Sequence, residues 1–226
     1  MKQPEHSKRL FSKALLALPA AATFGFSRSA SAQDEEFIEG GHYEVLPEVL
    51  PVQTGDKIEV VEMFWYRCPH CYRLEPYMLD WLATKKPENA EFVPIPAVLN
   101  RQWAYHARAY YVFEALGMDE ELHPKFFDAI HKERKPFSTV DHLADWVAVN
   151  GGDRNTVLDT WDSFAVENKM KFAEIMSRKY GISGVPAVIV DGRYRTSVSL
   201  AGSHEQLIKL INFLVKKAAE ARTATG

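Results

Sequence analysis

The stretch that decides the fold is Lys57-Ile58-Glu59-Val60-Val61-Glu62-Met63-Phe64-Trp65-Tyr66-Arg67-Cys68-Pro69-His70-Cys71. Its β-branched and aromatic run, Lys57 to Trp65, predicts a central strand buried on both faces. Pro69 follows where a first helical residue is favoured, because its fixed φ suits a helix and its missing N–H had no partner to lose. Beyond it, Leu74, Tyr77, Met78, Trp81 and Leu82 recur at spacings of three and four, the mark of an amphipathic helix that ends before Pro87. Glu91 to Ile95 returns as a strand, giving a β-α-β unit whose first junction holds a Cys-x-x-Cys.

On the N-terminal side, Tyr43 to Leu46 predicts an edge strand stopped by Pro47, preceded by a polar tail over 33–41. On the C-terminal side the pattern changes between Asn100 and Met170. Helices are predicted around Trp103 to Leu116 (closed by Gly117), Pro124 to His131, Leu143 to Val147, and Val157 to Trp161, with no strand signal between them. A long helix with Phe172, Ile175, Met176 and Tyr180 stops at Gly181, a usual residue just past a helix end. Ala187 to Val190 and Arg193 to Ser197, joined by Asp191-Gly192, predict a hairpin whose turn demands positive φ. Ser203 and Gln206 form a capping box for a last helix through Leu207, Leu210, Ile211 and Leu214.

The 226 residues are 46% hydrophobic and 25% charged, which excludes collagen-like, disordered and multi-span membrane classes. The first 32 residues read as an export signal: a basic start (Lys2, Lys8, Arg9, Lys13), an apolar stretch from Ala14 to Phe26, and Ala30-Ser31-Ala32 as the cleavage pattern. Lys8-Arg9 resembles a twin-arginine signal with its first Arg replaced, so either export route is open. Removing the segment takes away five basic residues and one acid, leaving 22 basic against 29 acidic and a net charge of −7. Such a chain is a poor nucleic-acid binder.

Cys68 and Cys71 are the only two cysteines, so a disulfide framework is excluded. At the helix N-terminus, unpaired N–H groups and the positive dipole end favour an anion, which predicts Cys68 as an exposed thiolate-forming sulfur and Cys71 as its inward partner. His70 and Arg67 are expected to add favourable charge. Zinc would need four ligands, and neither a second Cys-x-x-Cys nor a suitably spaced His pair exists; c-type haem would need His at 72, where Tyr stands. A merely structural disulfide would close a loop too small to remove much unfolded-state entropy. The other seven histidines read as ordinary surface or core residues.

Strand, Cys68-Pro69-His70-Cys71, helical block and Gly184-Val185-Pro186, with Glu62-Met63-Phe64-Trp65-Tyr66 alongside, resemble the DsbA family of thiol:disulfide oxidoreductases. That family is itself a standard case of a low-pKa cysteine and an oxidising couple. The resemblance implies an α/β thioredoxin fold with an inserted all-helical domain: a thioredoxin-like domain over 42–98 and 171–219, the insertion over 99–170, and a tail over 220–226. It implies catalysis by Cys68 and Cys71 with Pro69, His70 and the buried acid Glu62, which assists proton transfer at Cys71; Glu62 read alone could instead pair with a lysine. It implies a cis-proline at Pro186, which with Val185 contacts bound peptide, although Pro186 read alone is also a strand-entry proline. It further implies no metal and no cofactor beyond the Cys68–Cys71 disulfide. The expected partners are reduced exported proteins in the periplasm and a quinone-linked membrane oxidase resembling DsbB, with the chain acting as a monomer. An isomerase or reductase of the same fold, or a peptide-binding chaperone with incidental cysteines, are the alternatives.

Overall fold

The computed structural model describes Phe37 to Thr225, so the export signal and residues 33–36 of the tail lie outside the described residues. The predicted central strand is β2 (Ile58–Phe64), buried along its whole length. It pairs in parallel with β3 (Ala90–Pro96), in the register Glu62↔Pro94, after helix α1 (Pro69–Thr84). On its other side it pairs antiparallel with β4 (Ala187–Val190), in the register Glu62↔Val188. Strands β5 (Tyr194–Thr196) and β1 (Glu44–Val45) complete a five-stranded mixed sheet of order β1-β5-β4-β2-β3.

Side chains alternate across β2, and each face builds its own core. Ile58 and Val60 join Val188 and Val190 beneath Leu74, Met78 and Trp81 of α1 and Leu207, Leu210, Ile211 and Leu214 of the C-terminal helix. Val61, Met63 and Ile189 face the other way into an aromatic core with Phe113, Phe126, Phe127 and Tyr180 from the helical block. Helices on both faces of this mixed sheet, with a block of helices inserted between β3 and β4, make the thioredoxin fold with a helical insertion.

The insertion begins with α2 (Arg101–Ala115), capped by the Asn100 side chain, which accepts from the N–H groups of Gln102 and Trp103. It continues through α3 (Asp119–His131), α4 (Val140–Val149), α5 (Arg154–Trp161) and α6 (Phe164–Lys179). Three expectations are corrected here. The helix expected to start at Pro124 starts at Asp119 instead, because Asp119, Glu120 and Glu121 suit the positive end of the helix and outweigh an internal proline. The boundary at 170/171 falls inside α6, one continuous helix capped by Ser163. The second hairpin strand begins at Tyr194: Asp191 (φ 57) and Gly192 (φ 58) form the turn, closed by Arg193 N–H on Val190 C=O.

After the short α7 (Val198–Ala201), the last helix α8 runs from His204 to Thr225, capped by Ser203 Oγ on Gln206 N–H. The expected tail over 220–226 is therefore helical through Thr225. Arg222 explains the extension: it pairs with the buried Asp191 and donates to the carbonyls of Gly55, Asp56 and Lys57.

Candidate active site

The chain leaves β2 at Phe64 and turns into α1 within four residues, closed by Cys68 N–H on the Trp65 carbonyl at 2.9 Å. Cys68 is the N-cap of α1, in extended conformation, and Pro69 opens the helix. The Cys68 Sγ accepts from Cys71 N–H at 3.4 Å, so the sulfur holds one of the amides that a helix start leaves unpaired. Both cysteines are free thiols in this structure.

The second element of the site comes from far along the chain. The antiparallel pairing of β4 with β2 brings the preceding segment to the end of the sheet where Cys68 lies. Val185 and Pro186 are joined by a cis peptide bond, and the Cys68 thiol donates to the Val185 carbonyl at 3.3 Å. Beside them opens a cavity of about 620 Å³, lined by His70, Ile182, Val185, Pro186, Val198 and Leu200 among others.

The two sulfurs differ in their hold on a proton. Cys68 is brought down to about 6, first by the hydrogen bond from the Cys71 thiol, against the opposing effect of burial, and then by the backbone N–H groups of Cys71 and His70. The charge of His70 is the smallest contribution. Cys71 is pushed well up, first by burial and then by its bond to Cys68 and the charges of Cys68 and Glu62. The helix start and His70 both act as expected, with His70 the smaller, whereas the expected help from Arg67 is corrected: its charge acts on His106. The expectation of an exposed Cys68 is corrected as well. The residue is only 6% accessible, because the Val185 loop lies over it, while Cys71 is fully buried. His70 is exposed, its Nδ1 accepting from Arg73 at 2.8 Å.

Glu62 lies on the α1 side of β2, in phase with Ile58 and Val60, and is 4% accessible. Burial, the neighbouring Glu75 and Cys68 push its carboxyl well above the usual range. No lysine or other cation pairs with it among the described residues, so the lysine alternative is not realised.

Sequence reasoning missed a group behind the cysteines. Glu75, buried one helical turn after Cys71, stands 3.5 Å from His123 Nε2, and His123 Nδ1 meets the Tyr66 hydroxyl at 2.8 Å. His131 Nε2 bonds the Tyr66 carbonyl at 2.7 Å and its ring stacks on Tyr72, while Trp65 stacks on Trp103 and donates to His106 Nδ1 at 3.0 Å. Histidines 106, 123 and 131 are therefore packed among the aromatics that surround the strand-to-helix turn. The i, i+4 spacing of Cys71 and Glu75 was the one available signal; the histidine contacts cross from the insertion and leave no local trace. Phe64, Trp65 and Tyr66 are packing aromatics, as expected.

A family model described as a DSBA-like thioredoxin domain matches residues 59–209, well over half of the chain and including the whole of this site. The chain belongs to the DsbA family. Curated members similar to it include the thiol:disulfide interchange protein DsbA of Pseudomonas aeruginosa strain PAO1, 36% identical over 95% of this chain and 98% of that one. That of Pseudomonas syringae pv. tomato is 38% identical over 92% of this chain and 95% of the relative. The crystal structure of Pseudomonas aeruginosa DsbA superposes with a TM-score of 0.78 at 37% identity, covering 83% of this chain and 97% of that one. DsbA of Xylella fastidiosa gives 0.75 at 30% identity, over 80% and 97%. As a member of the DsbA family, the chain is a protein disulfide oxidoreductase.

Proposed function

We propose that the chain works as an oxidase, giving the Cys68–Cys71 disulfide to reduced proteins that have been exported and are still folding. The observation that carries this reading is the opposite hold of the two sulfurs on a proton. Only the reduced enzyme can keep Cys68 as a thiolate, so lowering its pKa stabilises the reduced form and makes the disulfide a stronger oxidant.

A client thiolate attacks the Cys68 sulfur, the Cys68–Cys71 bond breaks, and Cys71 leaves. Cys71 binds a proton tightly, and the protonated carboxyl of Glu62 is the group beside it that can supply one. A second client thiolate then attacks the client's own sulfur in the mixed disulfide and expels Cys68, a good leaving group because its thiolate is stable. The client loses two thiol hydrogens as two electrons and two protons, and the electrons end on the enzyme's dithiol. Val185 and Pro186 would hold the client backbone beside Cys68, and no cofactor other than the disulfide is needed.

Residues 1–32 support a periplasmic destination, where a quinone-linked membrane oxidase would restore the disulfide and the chain would act as a monomer. No described helix is long and apolar enough to cross a membrane. The test is stoichiometric: oxidised chain is mixed with a reduced, unfolded two-cysteine protein, quenched in acid and counted for disulfides. Transfer of one disulfide per chain, with a client adduct trapped on Cys68 by Cys71→Ser, is expected. An oxidised chain that leaves the client reduced contradicts the reading.

A further inference from the structure

Arg67 precedes the reactive cysteine but does not serve it. Arg67 lines a separate cavity of about 370 Å³ on the insertion side, with His106, Arg134, Lys135, Phe137 and Ser138. Arg134 sits there in the left-handed backbone region (φ 56), uncommon for a residue with a side chain. Lys135 is matched by Glu133 at 2.9 Å. Arg67 and Arg134 have no ion-pair or hydrogen-bond partner for their side chains among the described residues.

His106 adds no charge of its own to this wall. Trp65 Nε1–H occupies its Nδ1, and burial together with the charge of Arg67 brings it down to about 4. The cavity is therefore lined by two arginines without side-chain partners, with Ile130, Pro136 and Phe137 as its apolar residues, in a chain whose net charge is −3. A planar guanidinium fork is the best protein partner of a carboxylate, and two of them facing one concavity set a preference for it. Ile130, Pro136 and Phe137 beside them suit the methylene stem of a glutamate. The position matters as much as the chemistry. This cavity and the Val185–Pro186 cavity take residues from either side of Cys68 in sequence, Arg67 just before it in one and His70 two residues after it in the other.

We propose that this cavity is a carboxylate subsite, taking an acidic side chain that lies near the reacting cysteine of a client polypeptide. The inference rests on the oxidase reading above and adds a substrate preference to it.

The test uses two-cysteine peptides that carry Glu or Gln two to four residues from the first cysteine and are otherwise identical. The oxidised chain is mixed with each, and the second-order rate constant for peptide oxidation is divided by the same protein's rate constant with uncharged dithiothreitol. At one of these positions Glu is expected to exceed Gln by about tenfold, a margin typical of a charge-assisted pair. In Arg134→Asn, which removes the charge but tolerates the left-handed backbone, the ratio falls to about one, and Arg134→Lys restores part of it. Equal rates for Glu and Gln at every position overturn the proposal, as does a preference that survives in both Arg134→Asn and Arg67→Gln. Inorganic phosphate separates the remaining source of anions. If it raises the melting temperature through Arg134 while the peptide ratio stays at one, the cavity holds free anions and the proposal fails. A chain that oxidises neither dithiothreitol nor any peptide fails at the parent reading instead, so the two failures are distinct.

Discussion

Strand β2 buries two glutamates three residues apart; burial raises both carboxyls, but only one of them is given a donor and a cation. Glu59 accepts the Gln53 N–H at 2.7 Å and lies near Arg222, which also pairs with the buried Asp191; these two influences oppose burial and the charge of Asp191, although the carboxyl stays raised on balance. Glu62 is raised by burial and by the nearby Glu75 and Cys68, and no donor or cation works against them. One end of the sheet therefore gives its buried acids donors and a cation, as a stable core requires. The other end leaves an acid beside like charges, so that it keeps a proton next to Cys71. The difference separates residues that hold the fold from residues that serve the reaction.

The largest effect expected from breaking this division is at the reactive end. Cys68→Ser removes the attacked sulfur, and disulfide transfer to a reduced client is expected to fall by at least about a thousandfold, to the level of uncatalysed exchange. The far-UV circular dichroism of the folded chain should remain, because Cys68 is a cap that Ser also makes well. Measurable transfer by this variant would mean that the redox chemistry lies elsewhere.

At the other end, Arg222→Met leaves Asp191, which is 2% accessible, with only Arg193 at 3.3 Å. A loss of about 3 kcal/mol in urea unfolding is expected, the lower end of the range for removing one partner of a buried ion pair. The rate of disulfide transfer by the folded variant should be little changed. A loss below about 0.5 kcal/mol would show that Asp191 and Glu59 do not need this cation.

Glu62→Gln should act with the opposite sign on stability. It replaces an acid that is costly to bury with a neutral amide, so a gain of about 1–3 kcal/mol at pH 7 is expected in the same unfolding assay. The sign follows from linkage: a carboxyl raised in the folded state binds more protons there than in the unfolded chain. Its contribution to stability is therefore greatest below the unfolded carboxyl range and is lost as pH rises toward the folded value. The variant should lack that decline while reacting more slowly with clients, because Cys71 loses its nearby proton source. Destabilisation by Glu62→Gln would mean that the acid is structural, like Glu59.

Much of this division was legible in the sequence wherever it depended on local rules. The β2–α1–β3 unit, the cap at Cys68, the positive-φ turn at Asp191-Gly192 and the capping of α8 by Ser203 all follow from periodicity and turn chemistry within a few residues. The contacts that tune the site do not. Val185 reaches Cys68 across 117 residues of chain, and His123 and His106 arrive from the insertion. Arg222 lies in a segment whose composition reads as a tail until Asp191 is seen beneath it. Long-range pairing leaves no periodic trace, so the acid at Glu62 could be placed in a buried strand while its neighbours could not. The exposure of Cys68 was misjudged for the same reason, since the loop that covers it comes from the far end of the sheet.

The measurement that bears most directly on the account is the thiolate absorbance near 240 nm of the reduced chain, titrated from pH 3 to 10 with Cys68→Ser as the reference. One thiolate is expected to appear with a midpoint near 6, absent from the variant, while Cys71 stays protonated through the neutral range. A single midpoint near 9, the ordinary range of a thiol, would contradict it: Cys68 would then gain nothing from the helix start, and the disulfide would have no special tendency to be given away.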